Sequence, residues 1–234
     1  MIALSLPTPP MSHGREPFTN SPNPLSRRGA RGLSIGDLPR IHLASTSPRR
    51  RELLTTAGIQ HDAAHPGLDD AQLSPGTVDP ECWVMALAYL KASSALRSPA
   101  NIAAPIVLGA DTVVVQDGRT SSAPVDLDDA RRMLRAMRNA THDVLTGVAI
   151  IDRRTGERDI FSDRAVVTVG DISDEEIERY LASGQWKGKA GGYNLSERLA
   201  AGWPITFRGD PGTIMGLPVA KLVDRLHAFL ARAA

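Results

Sequence analysis

The chain reads as an α/β fold on three observations. A short apolar strand at 41–44 turns directly into a capped helix; the most apolar, β-branched run lies at 106–115; and two alternating segments, 142–151 and 159–169, flank the turn Arg154-Thr-Gly156. Helical patterns separate or follow them at 81–96, 127–138 and 174–184, and a last one opens at Pro218.

Composition narrows the class of protein. The 234 residues suffice for one large domain or two small ones with ample core. A formal net charge of +1 argues against a general nucleic-acid binder, whose affinity rests on a broad basic surface. Cys82 is the only cysteine, which excludes an internal disulfide and any cysteine-built metal cluster, and suits a reducing, cytoplasmic compartment. It is expected to be a core thiol. No apolar run approaches the roughly 20 residues that cross a bilayer, so no membrane association is expected.

In chain order, residues 1–39 are rich in Pro, Ser, Gly and Arg without a periodic apolar pattern, and are expected to form a disordered extension to a domain at 40–234. Deleting them should leave stability unchanged. In the first element Ile41, Leu43 and Ala44 suit a strand, Ser45 to Ser47 make a hydroxyl-lined turn, and Ser47-Pro48 is an N-cap followed by a proline at the first helical position. The open helix end and the forked donors of Arg49, Arg50 and Arg51 together suit a phosphate. Basic residues in a first turn oppose the helix dipole, so stability alone would sooner select Asp or Glu there.

A short strand is expected at 60–64, followed by the acidic pair Asp69-Asp70 and a helix capped by Asp79, which carries Lys91; a helical lysine is by itself an ordinary surface residue. Asp111 interrupts the apolar run at 106–115. A carboxylate in a strand buried on both faces is costly unless paired or metal-bound, so a site is expected to open at mid-strand; an Asp-Thr pair at a bulge is the structural alternative. Residues 116–118 signal a turn, and Asp126 caps the next helix, whose arginines should face solvent. His142 opens a strand and reads as structural. Ser173 and Glu176 form a capping-box pattern, and 187–193 is a glycine-rich basic loop with two lysines. Near the end, 209–212 reads as a turn and 213–215 as a short strand.

Four separated segments resemble, in order, those of the Maf family of nucleotide pyrophosphatases, which is related to inosine-triphosphate pyrophosphatase. They are Ala-Ser-x-Ser-Pro-Arg-Arg-x-Glu-Leu-Leu at 44–54, Leu-Ala-x-x-Lys-Ala at 87–92, Gly-Ala-Asp-Thr-Val-Val at 109–114, and Lys-Ala-Gly-x-Tyr at 189–193 with Gly-Leu-Pro at 216–218. The resemblance implies an elongated, two-lobed α/β fold with a mixed twisted sheet, flanking helices and a nucleotide cleft between the lobes. It implies hydrolysis of a nucleoside triphosphate between the α- and β-phosphates with a divalent ion, Mg²⁺ or Mn²⁺. Carried over by position, Asp111 would be the general base and, with Asp70, hold the metal; Ser45, Arg49, Arg50, Lys91 and Lys189 would meet phosphate. Arg49 and Thr112 match the branch acting on dTTP and UTP. Oligomeric state is left open, a homodimer being one form.

Two departures bear on activity. Where the family usually has Gly-Lys-Pro or Glu-Lys-Pro, this chain has Ser122-Ala123-Pro124, so a phosphate-reaching lysine is absent. Where many members have Tyr-Gly-Ile-Gln, it has Tyr193-Asn-Leu-Ser196, which leaves base reading to Ser196 or Glu197. Losing a charged phosphate contact costs on the order of 10²–10³ in rate unless another cation substitutes. Ala123 therefore favours a rival reading: a nucleotide-binding regulatory protein, linked to cell division, that has lost efficient catalysis.

Overall fold

The central strand β3 (Ile106–Gln116) is the axis of the fold, and its two edges are treated differently. The computed structural model describes residues 34–69, 73–97 and 102–233. Along one edge β5 (Ala140–Asp152) pairs antiparallel with β3 without a break from Ile106 to Val115. Along the other edge β1 (Ile41–Ala44) pairs in parallel with Ile106, Val107 and Leu108 only, and β4 (Arg119–Ser121) pairs antiparallel from Val114 onward. Among the described residues, Gly109 to Val113 thus have no strand on that edge, and Asp111 sits at the middle of the gap. Two strands that pair with separate stretches of one neighbour leave a crevice between them, much as at the switch points of open α/β sheets.

The remaining strands complete one mixed sheet. β2 (His61–Ala64) runs parallel to β1, while β6 (Arg158–Val169) and β7 (Ile205–Arg208) continue antiparallel beyond β5, giving the order β2-β1-β3-β5-β6-β7 with β4 beside β3. The helices are α1 (Pro48–Thr56), α2 (Pro80–Arg97), α3 (Leu127–Met137), α4 (Asp174–Ala182), α5 (Leu195–Ala200), α6 (Pro211–Met215) and α7 (Val219–Ala233).

On the face of the sheet opposite α2, the core is split in two. Leu43, Leu108, Ala110, Val148 and Ile150 pack with Leu54 of α1 and Leu222, Leu226 and Phe229 of α7. Val114, Val144 and Val167 pack instead with α3 and α4 through Met133, Leu134, Ile177 and Leu181. Between the two clusters the same strands carry Thr112, Thr146 and Asp163, which are cross-strand neighbours. A polar row interrupting an apolar face cannot be covered by aliphatic side chains without unpaired donors and acceptors, and so divides the molecule into two lobes.

The α2 face is built by glycine. A Cβ on Gly109 would stand 2.1 Å from the Ala88 carbonyl oxygen, and one on Gly147 2.2 Å from that of Val84. The helix backbone therefore lies directly on β3 and β5, where any other residue would push it away.

Several expectations are corrected. Residues 34–39, assigned above to the extension, include a 3-10 turn at Ile35–Asp37, and Leu38 is buried in the first core cluster with Ile35 packed against it. Deletion through residue 39 therefore removes core, while residues 1–33 lie outside the described residues. Cys82 is exposed, because the buried stripe of α2 runs through Val84, Leu87, Ala88, Ala92 and Ala95. Residues 213–215 belong to helix α6 rather than a strand: Asp210 accepts from the Gly212 N–H at 2.7 Å and Pro211 follows, the start that Ser47-Pro48 also signals. Of the expected solvent-facing arginines, Arg131 of α3 forks onto Glu178 of α4 at 2.6 and 2.9 Å, and Arg138 at the C-cap of α3 reaches Asp174 at the start of α4 at 2.9 Å, so these two tie α3 to α4 rather than simply face water.

Candidate functional site

The crevice beside β3 opens into a cleft of about 800 Å³. Ser45, Arg49, Arg50, Lys91, Asp111, Thr112, Lys189 and Glu197 all line it, from five separate parts of the chain. Two further residues are expected there. Asp70 lies outside the described residues, and Ser196 does not line the cleft: its hydroxyl donates to Asn194 Oδ1 at 2.8 Å. Asn194 caps α5, which turns Ser196 back toward the cap and leaves Glu197 facing the cavity.

Asp111 is 8% exposed and accepts from Lys91 Nζ at 2.5 Å. Lys91 reaches it because α2 is seated on Gly109 and Gly147, the latter being the β5 residue directly opposite Asp111. Trp83 and Leu87 line the same cleft at intervals of one helical turn from Lys91, so one stripe of α2 forms the wall. An ammonium at hydrogen-bond distance fixes the position of the Asp111 carboxylate at the cleft wall.

The opposite face is organised by Arg50. Its Nε donates to the Gly216 carbonyl at 2.8 Å, Nη1 to Ser45 Oγ at 3.1 Å and Nη2 to Thr112 Oγ1 at 3.1 Å. Thr112 and Thr146 hydroxyls meet at 2.9 Å, and Thr146 donates onward to the Thr213 carbonyl at 2.8 Å. Asp163 closes the row by accepting from Thr213 Oγ1 at 2.5 Å and Lys221 Nζ at 2.9 Å. Arg50 thus ties α1, β3 and the α6–α7 connection together at the lobe boundary, a positioning role beside any phosphate contact.

Arg49, Lys189 and Glu197 form the third wall. Lys189 is 8% exposed and ion-paired with Glu197. Burial pulls both the Lys189 ammonium and the Arg49 guanidinium below their ordinary values, and the Glu197 carboxylate opposes this in each case. The turn that delivers Lys189 needs glycine: Gly191 has φ +67°, and a Cβ there would stand 2.6 Å from Met137 Cε. Tyr180, its hydroxyl pushed up to about 12 chiefly by burial, donates to the Gly192 carbonyl at 3.0 Å and fixes that turn.

His142 is not part of the cleft lining. It is 2% exposed, pairs through Nε2 with the Tyr193 hydroxyl at 2.9 Å, and burial lowers it to about 4, in keeping with its structural reading. The residues sequence reasoning missed are Gly147, Thr146 and Trp83. A glycine inside the alternating run 142–151 was the available signal for close helix approach; nothing in the sequence marks Thr146 as a partner of Thr112.

Among the described residues no group of three or more His, Cys, Asp or Glu could hold a metal, and no helix is long and apolar enough to cross a membrane. The residues present fit a Mg²⁺ that arrives on a polyphosphate, since that ion commonly takes one or two carboxylates and fills its shell with phosphate oxygens and water. Asp111 is a buried carboxylate on the cleft wall that could serve as one such ligand.

The family model for Maf-like proteins matches residues 40–229. A dTTP/UTP pyrophosphatase of Pelotomaculum thermopropionicum is 36% identical over 189 residues, covering 81% of this chain and 96% of that protein. One from Alkalilimnicola ehrlichii is 38% identical over 195 residues, covering 82% and 93%, and one from Bacillus cereus is 37% identical over 194, covering 81% and 95%. A crystal structure of a dITP/XTP pyrophosphatase from Mycobacterium abscessus aligns at a TM-score of 0.34 and 14% identity over 57% of this chain and 75% of that one, too remote to bear on the fold. With the opening Ser-Pro-Arg-Arg turn, the Asp111 strand and the Lys189 loop in one cleft and the family match running through all three, this chain belongs to the Maf family.

Proposed function

We propose that this chain is a nucleoside triphosphate pyrophosphatase, on the observation that Asp111 is held by Lys91 in a gap of the central sheet that opens into a cation-lined cleft. A water oxygen bonds to the α-phosphorus as the bond from that phosphorus to the α–β bridging oxygen breaks. One water proton passes to the Asp111 carboxylate, and the electron pair leaves with pyrophosphate, giving the nucleoside monophosphate. Mg²⁺, held by Asp111 and the substrate's phosphates, would supply charge neutralisation. Among the described residues, five cationic side chains line the cleft, Arg49, Arg50, Lys91, Lys187 and Lys189, against the carboxylates Asp111 and Glu197, a balance that suits a polyanion.

The relatives' names support dTTP and UTP as substrates. Glu197, rather than Ser196, is the residue of α5 that lines the cleft, which supports it as the one to read the base. Ala123 lines the cleft, so the lysine expected there is missing from the site itself and turnover should fall below that of relatives carrying it. Incubating the full chain with a panel of ribo- and deoxyribonucleoside triphosphates and Mg²⁺, then measuring pyrophosphate, tests the reading. Release from dTTP and UTP above other nucleotides is the expected result; no release from any triphosphate would sink it.

A further inference from the structure

Two loops meet at the mouth of the cleft. The 122–124 loop, which carries Ala123, is clipped to the glycine-rich loop by the Gly191 N–H, which donates to the Ser122 carbonyl at 3.1 Å. A Cβ on Gly192 would stand 3.5 Å from Pro124 Cγ, so the two loops run close together there. The first loop offers no charge. The second offers two lysines, and they differ in what they do.

Lys189 is buried and committed to Glu197. Lys187 is exposed, lines the cleft, and has no carboxylate partner among the described residues. Its ammonium lies 5.8 Å from the centre of the Trp186 ring. Trp186 is itself fixed, 6% exposed with its indole N–H donating to the Leu181 carbonyl at 3.1 Å. The lysine thus starts from a rigid anchor in the second lobe, and the ring face is a weak resting place for its charge. A backbone turn hands over from one lysine to the other: Gly188 has φ +66° and the Lys189 N–H donates to the Trp186 carbonyl at 3.3 Å.

We propose that Lys187 is the cation that receives the pyrophosphate end of the substrate, standing in from the neighbouring loop for the lysine that position 123 lacks. This rests on the pyrophosphatase reading above. The leaving group of that reaction gathers negative charge as the bond from the α-phosphorus breaks, and a mobile ammonium at the mouth stabilises it before releasing it to solvent. Lys189 cannot take this part without abandoning Glu197.

The test measures binding and turnover separately on the full chain. Calorimetry with Mg²⁺ and inorganic pyrophosphate, and separately with UMP, is run on the wild type, Lys187→Ala, Lys187→Arg and the double variant Lys187→Ala/Ala123→Lys, with melting temperatures as the control. Lys187→Ala should weaken pyrophosphate binding about tenfold, with UMP binding and melting temperature unchanged; Lys187→Arg should keep most of the affinity, and Ala123→Lys should restore it in the double variant. Unchanged pyrophosphate affinity in Lys187→Ala, or equal losses for pyrophosphate and UMP, overturns the assignment, and a double variant that regains nothing overturns the substitution of one loop for the other. A wild type that binds pyrophosphate yet hydrolyses no triphosphate defeats the pyrophosphatase reading alone, leaving the Lys187 assignment to stand or fall on the binding data.

Discussion

Asp111 and Thr112 are neighbours in β3 yet meet unlike surroundings. Asp111 faces α2 and is held by a single strong partner, Lys91, delivered by a helix that two glycines admit to backbone contact with the sheet. Thr112 faces α1 and α6 and belongs to a row of neutral and charged groups running from Arg50 through Thr146 to the Thr213 carbonyl. One face thus holds a carboxylate on a lysine at the cleft wall, while the other spends its polar groups on holding two lobes in register. A site needs both: a reactive group left with spare acceptor capacity, and a boundary whose own hydrogen bonds are satisfied.

The largest effect should come from breaking the first face. Asp111→Asn keeps the shape but removes basicity and charge, so turnover should fall about 10²–10⁴-fold with the fold intact and triphosphate binding retained or tightened. Near-normal turnover per folded molecule would show that Asp111 is not the base. Next, Gly147→Ala places a Cβ against the Val84 carbonyl and must displace α2, at a cost of about 1–3 kcal/mol or more by denaturant titration. Turnover in the folded fraction should fall too, because Lys91 moves with the helix; full stability with full activity would mean that α2 is not seated as described.

Breaking the second face should cost stability more than chemistry. Thr146→Val leaves the Thr213 carbonyl without its donor and Thr112 without its neighbour, a loss of about 1–3 kcal/mol with substrate contacts still in place. A variant as stable as the wild type but catalytically dead would reverse the roles assigned to the two faces.

The smallest effect lies outside both, at His142. Its folded value is lowered by burial to about 4, below the ordinary 6.5, so the unfolded chain binds the extra proton first. The stability contributed by keeping it neutral is complete above about 6.5 and declines as pH falls toward 4. His142→Gln should flatten that part of the stability profile, measured by thermal melts across the range. An unchanged slope would show that other groups set the acid limit.

Much was legible without coordinates, for identifiable reasons. The cap Ser47-Pro48, the buried run around Asp111 and the glycine-rich loop at 187–193 are local signals, because each depends on residues within one turn or one strand. The same local logic, applied at Asp210-Pro211, would have found helix α6 had the short run Thr-Ile-Met not been weighed as a strand. Leu38 escaped because it and Ile35, after a Pro- and Gly-rich segment, are too few to show a period.

What the sequence by itself determined was which groups are present and which elements carry them: a carboxylate in a buried strand, hydroxyls and arginines at a helix start, lysines on a loop. Only the tertiary structure decided their partners. That Lys91 belongs to Asp111, Lys189 to Glu197 and Arg50 to the Gly216 carbonyl is set by the gap between the stretches of β3 that β1 and β4 pair with, by the seat of α2 on Gly109 and Gly147, and by the packing of the loops around them. Those are contacts between residues far apart in the chain, fixed by how surfaces pack and how buried charge is paired, and no local spacing encodes them.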